Sequence, residues 1–227
     1  MMSLLPFIEI EPFCNDTQQT LSANASIIWL HGLGASGHDF EMLPKQLNFP
    51  KDACIRFIFP HAPQIRVTIN AGYVMPAWYD ILEMTEIRKI NQQQLLNSVN
   101  EVHKLIQREL DRGISSERII IAGFSQGGAV AYHAALTFPL KLAGLLSLST
   151  YFVTSDNIES SPANQAIPIH IYHGSRDPMV VEAQGRRAYD DLISMGYQVT
   201  YKSYPMEHEL CFEEVADISS VIQQLLL

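Results

Sequence analysis

The sequence predicts an α/β fold, a mostly parallel central sheet with helices on both faces, and three observations carry that expectation. Short β-branched or apolar runs alternate along the chain with segments of helical period. Several of the runs are continuously apolar, as strands covered on both faces must be. The length of 227 residues suits one α/β domain, and 47% hydrophobic residues can fill a substantial core. No repeat, low-complexity tract or linker divides the chain, so residues 1–227 are expected to form one domain.

Taken in order, the opening MMSLLPFIEIEPFCND reads as a strand. It has no basic start, and Pro6, Glu9 and Glu11 interrupt its apolar run, so it is no signal peptide and the mature chain is expected to begin at or near Met1. Further strands are expected at SIIWLH (26–31), CIRFIFP (54–60), RIIIAG (118–123), LAGLLSLS (142–149), IPIHIYHG (167–174) and QVTYKSYP (198–205). Helices are expected at 91–112, 126–138, 182–195 and 213–226; the first carries Leu95, Val99, Val102, Leu105, Ile106 and Leu110 at helical spacing. TSDNIESSPANQ (154–165) reads as a surface loop. Residues 71–80 are rich in large apolar groups without a regular period. There Met75 and Trp78 are read either as walls of a substrate pocket or as core beneath a long loop.

Composition narrows the function. A formal net charge of -9 repels phosphate backbones and anionic surfaces, so no nucleic-acid partner is expected. No apolar run approaches the eighteen or so residues of a membrane helix. Three widely spaced cysteines, Cys14, Cys54 and Cys211, suggest neither a disulfide framework nor a zinc site, and a cytoplasmic location is the expectation. The eight histidines show no metal-binding spacing; no metal and no cofactor are expected.

The chemistry is expected beyond the carboxyl ends of the strands, where open α/β sheets bind ligands. After RIIIAG, Gly123-Phe124-Ser125-Gln126-Gly127 places a G-x-S-x-G pattern between a strand and a helix. Such a turn is too tight for flanking side chains, and it presents Ser125 at a helix N-terminus. A serine hydroxyl needs a base, and the base needs an acid to orient it. Asp177 follows the strand IPIHIYHG and His208 follows the last strand. The chain order Ser, Asp, His is that of the α/β-hydrolase fold. Ser125, Asp177 and His208 are therefore the expected catalytic residues. His103 and His133 lie on helices and His170 and His173 in a strand, where packing or surface roles are commoner. His38 and His61 fall in loops near the expected site. For the developing oxyanion, Gln126 is expected to offer one backbone N–H, and the glycine-rich turn after SIIWLH another, from Leu33.

Together HGLGASGHDF, FPHAPQIRVTINAGYVMPAWYD, GFSQGGAVAYHAAL, HGSRDPMV and YPMEHE resemble the phospholipase/carboxylesterase family that includes the acyl-protein thioesterases. The resemblance runs over most of the chain and implies the same triad and oxyanion groups. It also implies hydrolysis of carboxylic esters, and of thioesters or lysophospholipids, with a small-molecule or lipid acyl ester or an acylated protein as substrate. Two departures stand out: Ala35 where family members often carry an acid, and Glu207 where many have glycine. Glu207 is expected to make the site entrance less welcoming to anions. The alternative reading is a catalytically silent interaction protein on the same fold.

Overall fold

The computed structural model describes residues 4–14, 19–84 and 88–227. Seven strands form one sheet: β1 (Phe7–Ile10), β2 (Ala25–Leu30), β3 (Ile55–Pro60), β4 (Ile119–Phe124), β5 (Gly144–Leu148), β6 (Ile169–Gly174) and β7 (Val199–Tyr204). Their order across the sheet is β1-β3-β2-β4-β5-β6-β7, with β1 antiparallel to β3 and all other pairs parallel. Residues 1–3 and 15–16 of the opening segment lie outside the described residues. Four long helices follow the expected spans: α1 (Gln92–Asp111), α2 (Gln126–Thr137), α3 (Glu182–Ser194) and α4 (Phe212–Leu226). Asn91 caps α1, its side chain accepting from the Gln94 N–H.

Strand alternation sends successive side chains to opposite faces, and the register lines them up across the sheet. Ile58, Ile28, Ile121, Leu145 and Ile169 form one transverse row, which packs on α1, α2 and α3. Phe57, Ile27 and Ile120 form the opposite row, which packs with Val215, Ile218 and Ile222 of α4 and with Leu43 and Leu47. Both faces being covered, the central strands are buried almost throughout, whereas the edge strand β7 alternates and β1 is half-buried.

Among the described residues, three two-stranded antiparallel pairs lie outside this sheet: Phe13–Cys14 with Gln19–Thr20, Gln64–Val67 with Tyr73–Pro76, and Ile81–Glu83 with Lys89–Ile90. The second organises the segment that the sequence left irregular, reversing through Ala71 and Gly72, both at positive φ. Among the described residues, no helix is long and apolar enough to cross a membrane.

One buried group makes stability depend on pH. Glu214, in the first turn of α4, is fully buried, and among the described residues no side chain pairs with its carboxylate, which has the Cys211 backbone N–H as a polar neighbour. Burial, reinforced by the Asp217 carboxylate, pushes its pKa up to about 8 from an ordinary 4.5. Below pH 4.5 the group is neutral in both states. As pH rises from there towards 8, only the unfolded chain ionises, and stability falls by on the order of 3 kcal/mol by neutrality. Glu214→Gln is expected to flatten this slope, seen by chemical denaturation at pH 5 and pH 8; parallel slopes for the two proteins would contradict it.

Candidate active site

β3 lies on one side of β2 and β4 on the other, so the connections leaving β2 and β4 diverge and open a crevice at their carboxyl ends. Gly32 and Ser125 meet there; a Cβ on Gly32 would lie 3.4 Å from the Ser125 Cβ. Ser125 sits between β4 and α2 at φ 52° and ψ -122°, a sparsely populated backbone conformation that costs about 1–3 kcal/mol. Its surroundings hold it there. The Ser125 N–H donates to Leu148 O at 2.9 Å, and Ser125 O accepts from the Thr150 hydroxyl at 2.6 Å and the Gly128 N–H at 3.0 Å. The turn closes so tightly that a Cβ on Gly127 would lie 2.5 Å from His31 O, and one on Gly123 2.5 Å from Gly127 O.

Asp177 and His208 arrive on neighbouring loops after β6 and β7. These loops join through Ser175 N–H to Tyr204 O at 2.8 Å and Arg176 N–H to Met206 O at 3.1 Å. Asp177 Oδ1 accepts from the N–H groups of Met179 and Val180, both at 2.8 Å. Its Oδ2 lies 2.6 Å from His208 Nδ1, and His208 Nε2 lies 2.9 Å from Ser125 Oγ. Burial alone would raise the Asp177 pKa, but the bonds from His208 and Val180 hold it below the ordinary value. An ionised carboxylate accepts the Nδ1 proton, which leaves Nε2 as the acceptor for the serine hydroxyl. The structure thus brings the three residues, far apart in sequence, into one hydrogen-bonded chain.

Leu33 and Gln126 both border the cleft around Ser125, and their N–H groups have no acceptor among the described residues. Each peptide is oriented from behind. His31 is fully buried; its Nε2 accepts from Ala62 N–H at 3.0 Å, so Nδ1 carries the proton and donates to Gly32 O at 2.7 Å. Because a trans peptide is planar, pinning Gly32 O on one side aims the Leu33 N–H to the other. The Gln126 side chain accepts from Trp78 N–H at 2.9 Å and donates to Tyr79 O at 2.7 Å.

The cleft encloses about 400 Å³, with Met75, Ile81, Met84, Tyr151 and Met179 among its walls. Met75 falls where a substrate-lining residue was expected. Trp78 does not: it is 1% exposed, absent from the cleft wall, and its indole N–H donates to His31 O at 2.8 Å. A buried indole must find an acceptor for its N–H, and this one turns inward to the strand end. Glu207 is exposed, next to His208 in the chain, and is not among the residues of the cleft wall. Ala35 does border the cleft. His61 accepts from Gly37 N–H at 3.1 Å and His38 lies 3.0 Å from Glu41; neither borders the cleft. His173, read only as a strand residue, is fully buried and donates from Nε2 to Val180 O at 2.8 Å, steadying the loop that holds Asp177.

A family model described as phospholipase/carboxylesterase matches residues 17–226. The chain belongs to that family. It is a hydrolase. It is 36% identical over 213 residues to acyl-protein thioesterase 1 of Gibberella zeae, covering 89% of this chain and 91% of that one. To acyl-protein thioesterase 1 of Neurospora crassa it is 38% identical over 213 residues, covering 89% and 87%. Among solved structures it resembles Arabidopsis thaliana SOBER1 at TM-score 0.84 and 31% identity, covering 90% of this chain and all of the other. In this family member Met75, Met84 and Met179 all border the cleft.

Proposed function

We propose that the chain is a serine hydrolase that cleaves carboxylic esters and acyl thioesters through an acyl-enzyme on Ser125. The observation that carries the reading is the chain of hydrogen bonds from Asp177 through His208 to Ser125, ending at a strained serine on the wall of a largely apolar cleft. His208 takes the hydroxyl proton as Ser125 attacks the carbonyl, and Asp177 stabilises the imidazolium that forms. The oxyanion rests on the N–H groups of Leu33 and Gln126, already oriented before substrate arrives and so requiring no rearrangement at the moment of reaction. His208 then returns its proton to the leaving alcohol or thiol. Water, activated in the same way, releases the acid.

The substrate is an acyl ester or thioester of a small molecule, a lipid or an acylated protein, in keeping with the thioesterases to which the chain is similar. Nucleic acid is no part of this reading, the net charge being -9. A cytoplasmic location is supported by the free thiols of Cys54 and Cys211, and a single domain by the one sheet running from Phe7 to Tyr204. Hydrolysis of p-nitrophenyl butanoate, p-nitrophenyl octanoate and octanoyl-coenzyme A at neutral pH tests the reading. Turnover of the oxygen esters and the thioester is expected. A folded protein inert on all three would leave the silent interaction protein as the better account.

A further inference from the structure

The cleft that holds Ser125 contains a cation that nothing in the proposed acyl transfer uses. Arg88 stands just before the strand Lys89–Ile90 and borders the cleft together with Tyr151, Met179, Ile81 and Met84. It is only 8% exposed. Its Nη2 donates to Met179 O at 2.7 Å, and the guanidinium carbon lies 4.1 Å above the Tyr151 ring. No carboxylate comes within ion-pair distance of it among the described residues, and its buried Nε has no acceptor. The other buried arginine at a strand, Arg56, shows the contrast: it meets Glu11 and Glu109 at 2.9 and 2.6 Å.

A buried guanidinium held by one carbonyl and one ring is under-compensated, because withdrawing a charge from water costs several kcal/mol unless a counter-charge replaces the lost solvation. Among the described residues the cleft supplies no such counter-charge near Arg88. Among the described residues Asp39 is the carboxylate on its wall, and it is engaged with the Ser36 N–H at 2.8 Å and the Ser36 hydroxyl at 3.1 Å; Asp156, which lines a neighbouring cavity with Arg88, makes no ion pair with it. The contacts that Arg88 does make also fix it. Met179 is two residues beyond Asp177, and Tyr151 is tied by its hydroxyl to Tyr79 at 2.7 Å, so the guanidinium is anchored to the framework of the site.

We propose that Arg88 binds a carboxylate carried by the substrate, so that the preferred esters are anionic at the end remote from the scissile bond. The inference rests on the hydrolase reading above and narrows its substrate class. A fixed guanidinium is suited to a planar carboxylate, and a charge-assisted hydrogen bond in a partly dry cleft discriminates more strongly than one added methylene. The chain's overall charge of -9 works against anions at long range, so the preference is a short-range one created inside the cleft.

Two ester pairs test this, each differing only by a carboxylate. On the acyl side the pair is p-nitrophenyl butanoate and its ω-carboxylated counterpart, p-nitrophenyl hemisuccinate. On the alcohol side it is phenyl acetate and 4-acetoxybenzoate. In wild type the charged member of one pair is expected to be favoured in kcat/KM, and Arg88→Met to reduce that charged-to-neutral ratio by roughly tenfold to a hundredfold. Arg88→Lys, which keeps the charge but not the planar fork, is expected to recover part of the ratio, and salt to depress the ratio in wild type and Arg88→Lys but not in Arg88→Met. Equal ratios in wild type and Arg88→Met for both pairs would overturn the proposal while leaving the hydrolase reading standing. Wild type inert on all four esters would overturn both. Should Arg88→Met not fold, a salt-insensitive ratio in wild type together with an unchanged ratio in Arg88→Lys overturns it.

Discussion

Ser125→Ala is expected to lose on the order of a millionfold in kcat, leaving the residual assistance of the cleft and the oxyanion donors. The fold should hardly register the change. Ser125 Oγ makes one hydrogen bond, to His208 Nε2, while the contacts that keep the turn in its strained conformation all belong to the backbone. Alanine carries the same Cβ at the same positive φ, so the strain is neither added nor removed. Melting temperature should therefore move little while turnover collapses. A variant retaining activity within tenfold of wild type would show that another group is the nucleophile.

Glu109→Ala is expected to do the reverse, lowering stability by about 3–5 kcal/mol while leaving activity per folded molecule intact. Glu109 is fully buried near the end of α1, and four groups converge on its carboxylate. Ser26 Oγ and Arg56 Nη1 each donate at 2.6 Å to Oε2, and Arg108 and Arg112 donate to Oε1 at 2.8 and 3.4 Å. Glu109 thus joins α1 directly to β2 and β3, and Arg108 and Arg112 extend the cluster to Glu9 on β1, with Arg56 and Arg112 also reaching Glu11. Burial alone would lower the Arg56 pKa, but Glu11 and Glu109 raise it above its ordinary value. Truncation leaves Arg56 and Ser26 facing a void. The cluster lies at the amino end of β2, opposite the end that carries the site. Chemical denaturation reads the loss; a shift below about 1 kcal/mol would mean that water replaces the carboxylate without penalty.

The two substitutions also show which features the sequence could disclose. Ser125, Asp177 and His208 were legible because each lies within four residues of a strand's carboxyl end, and the strands before Ser125 and Asp177, buried on both faces, announce themselves as apolar runs. Their convergence then follows from the parallel order of β4, β6 and β7. Glu109 was half legible: it falls on the same stripe of α1 as Leu105 and Ile106, but acidic residues on helices usually face solvent. Trp78 and Arg88 were not legible in the same way. Both sit in or beside short hairpins whose strands are too brief and too exposed to impose an alternation, so side-chain direction is set there by tertiary partners. His31 likewise reads as the last residue of a strand motif, and only the structure reveals that its ring pins the peptide whose N–H faces the cleft.

The most direct test of the account is labelling with a fluorophosphonate, followed by intact mass and peptide mapping. A serine activated by His208 reacts with this probe, whereas ordinary serines do not. The account predicts one adduct per chain, located on Ser125, and no adduct in Ser125→Ala. An adduct on another serine, or labelling that persists in the variant, would contradict it.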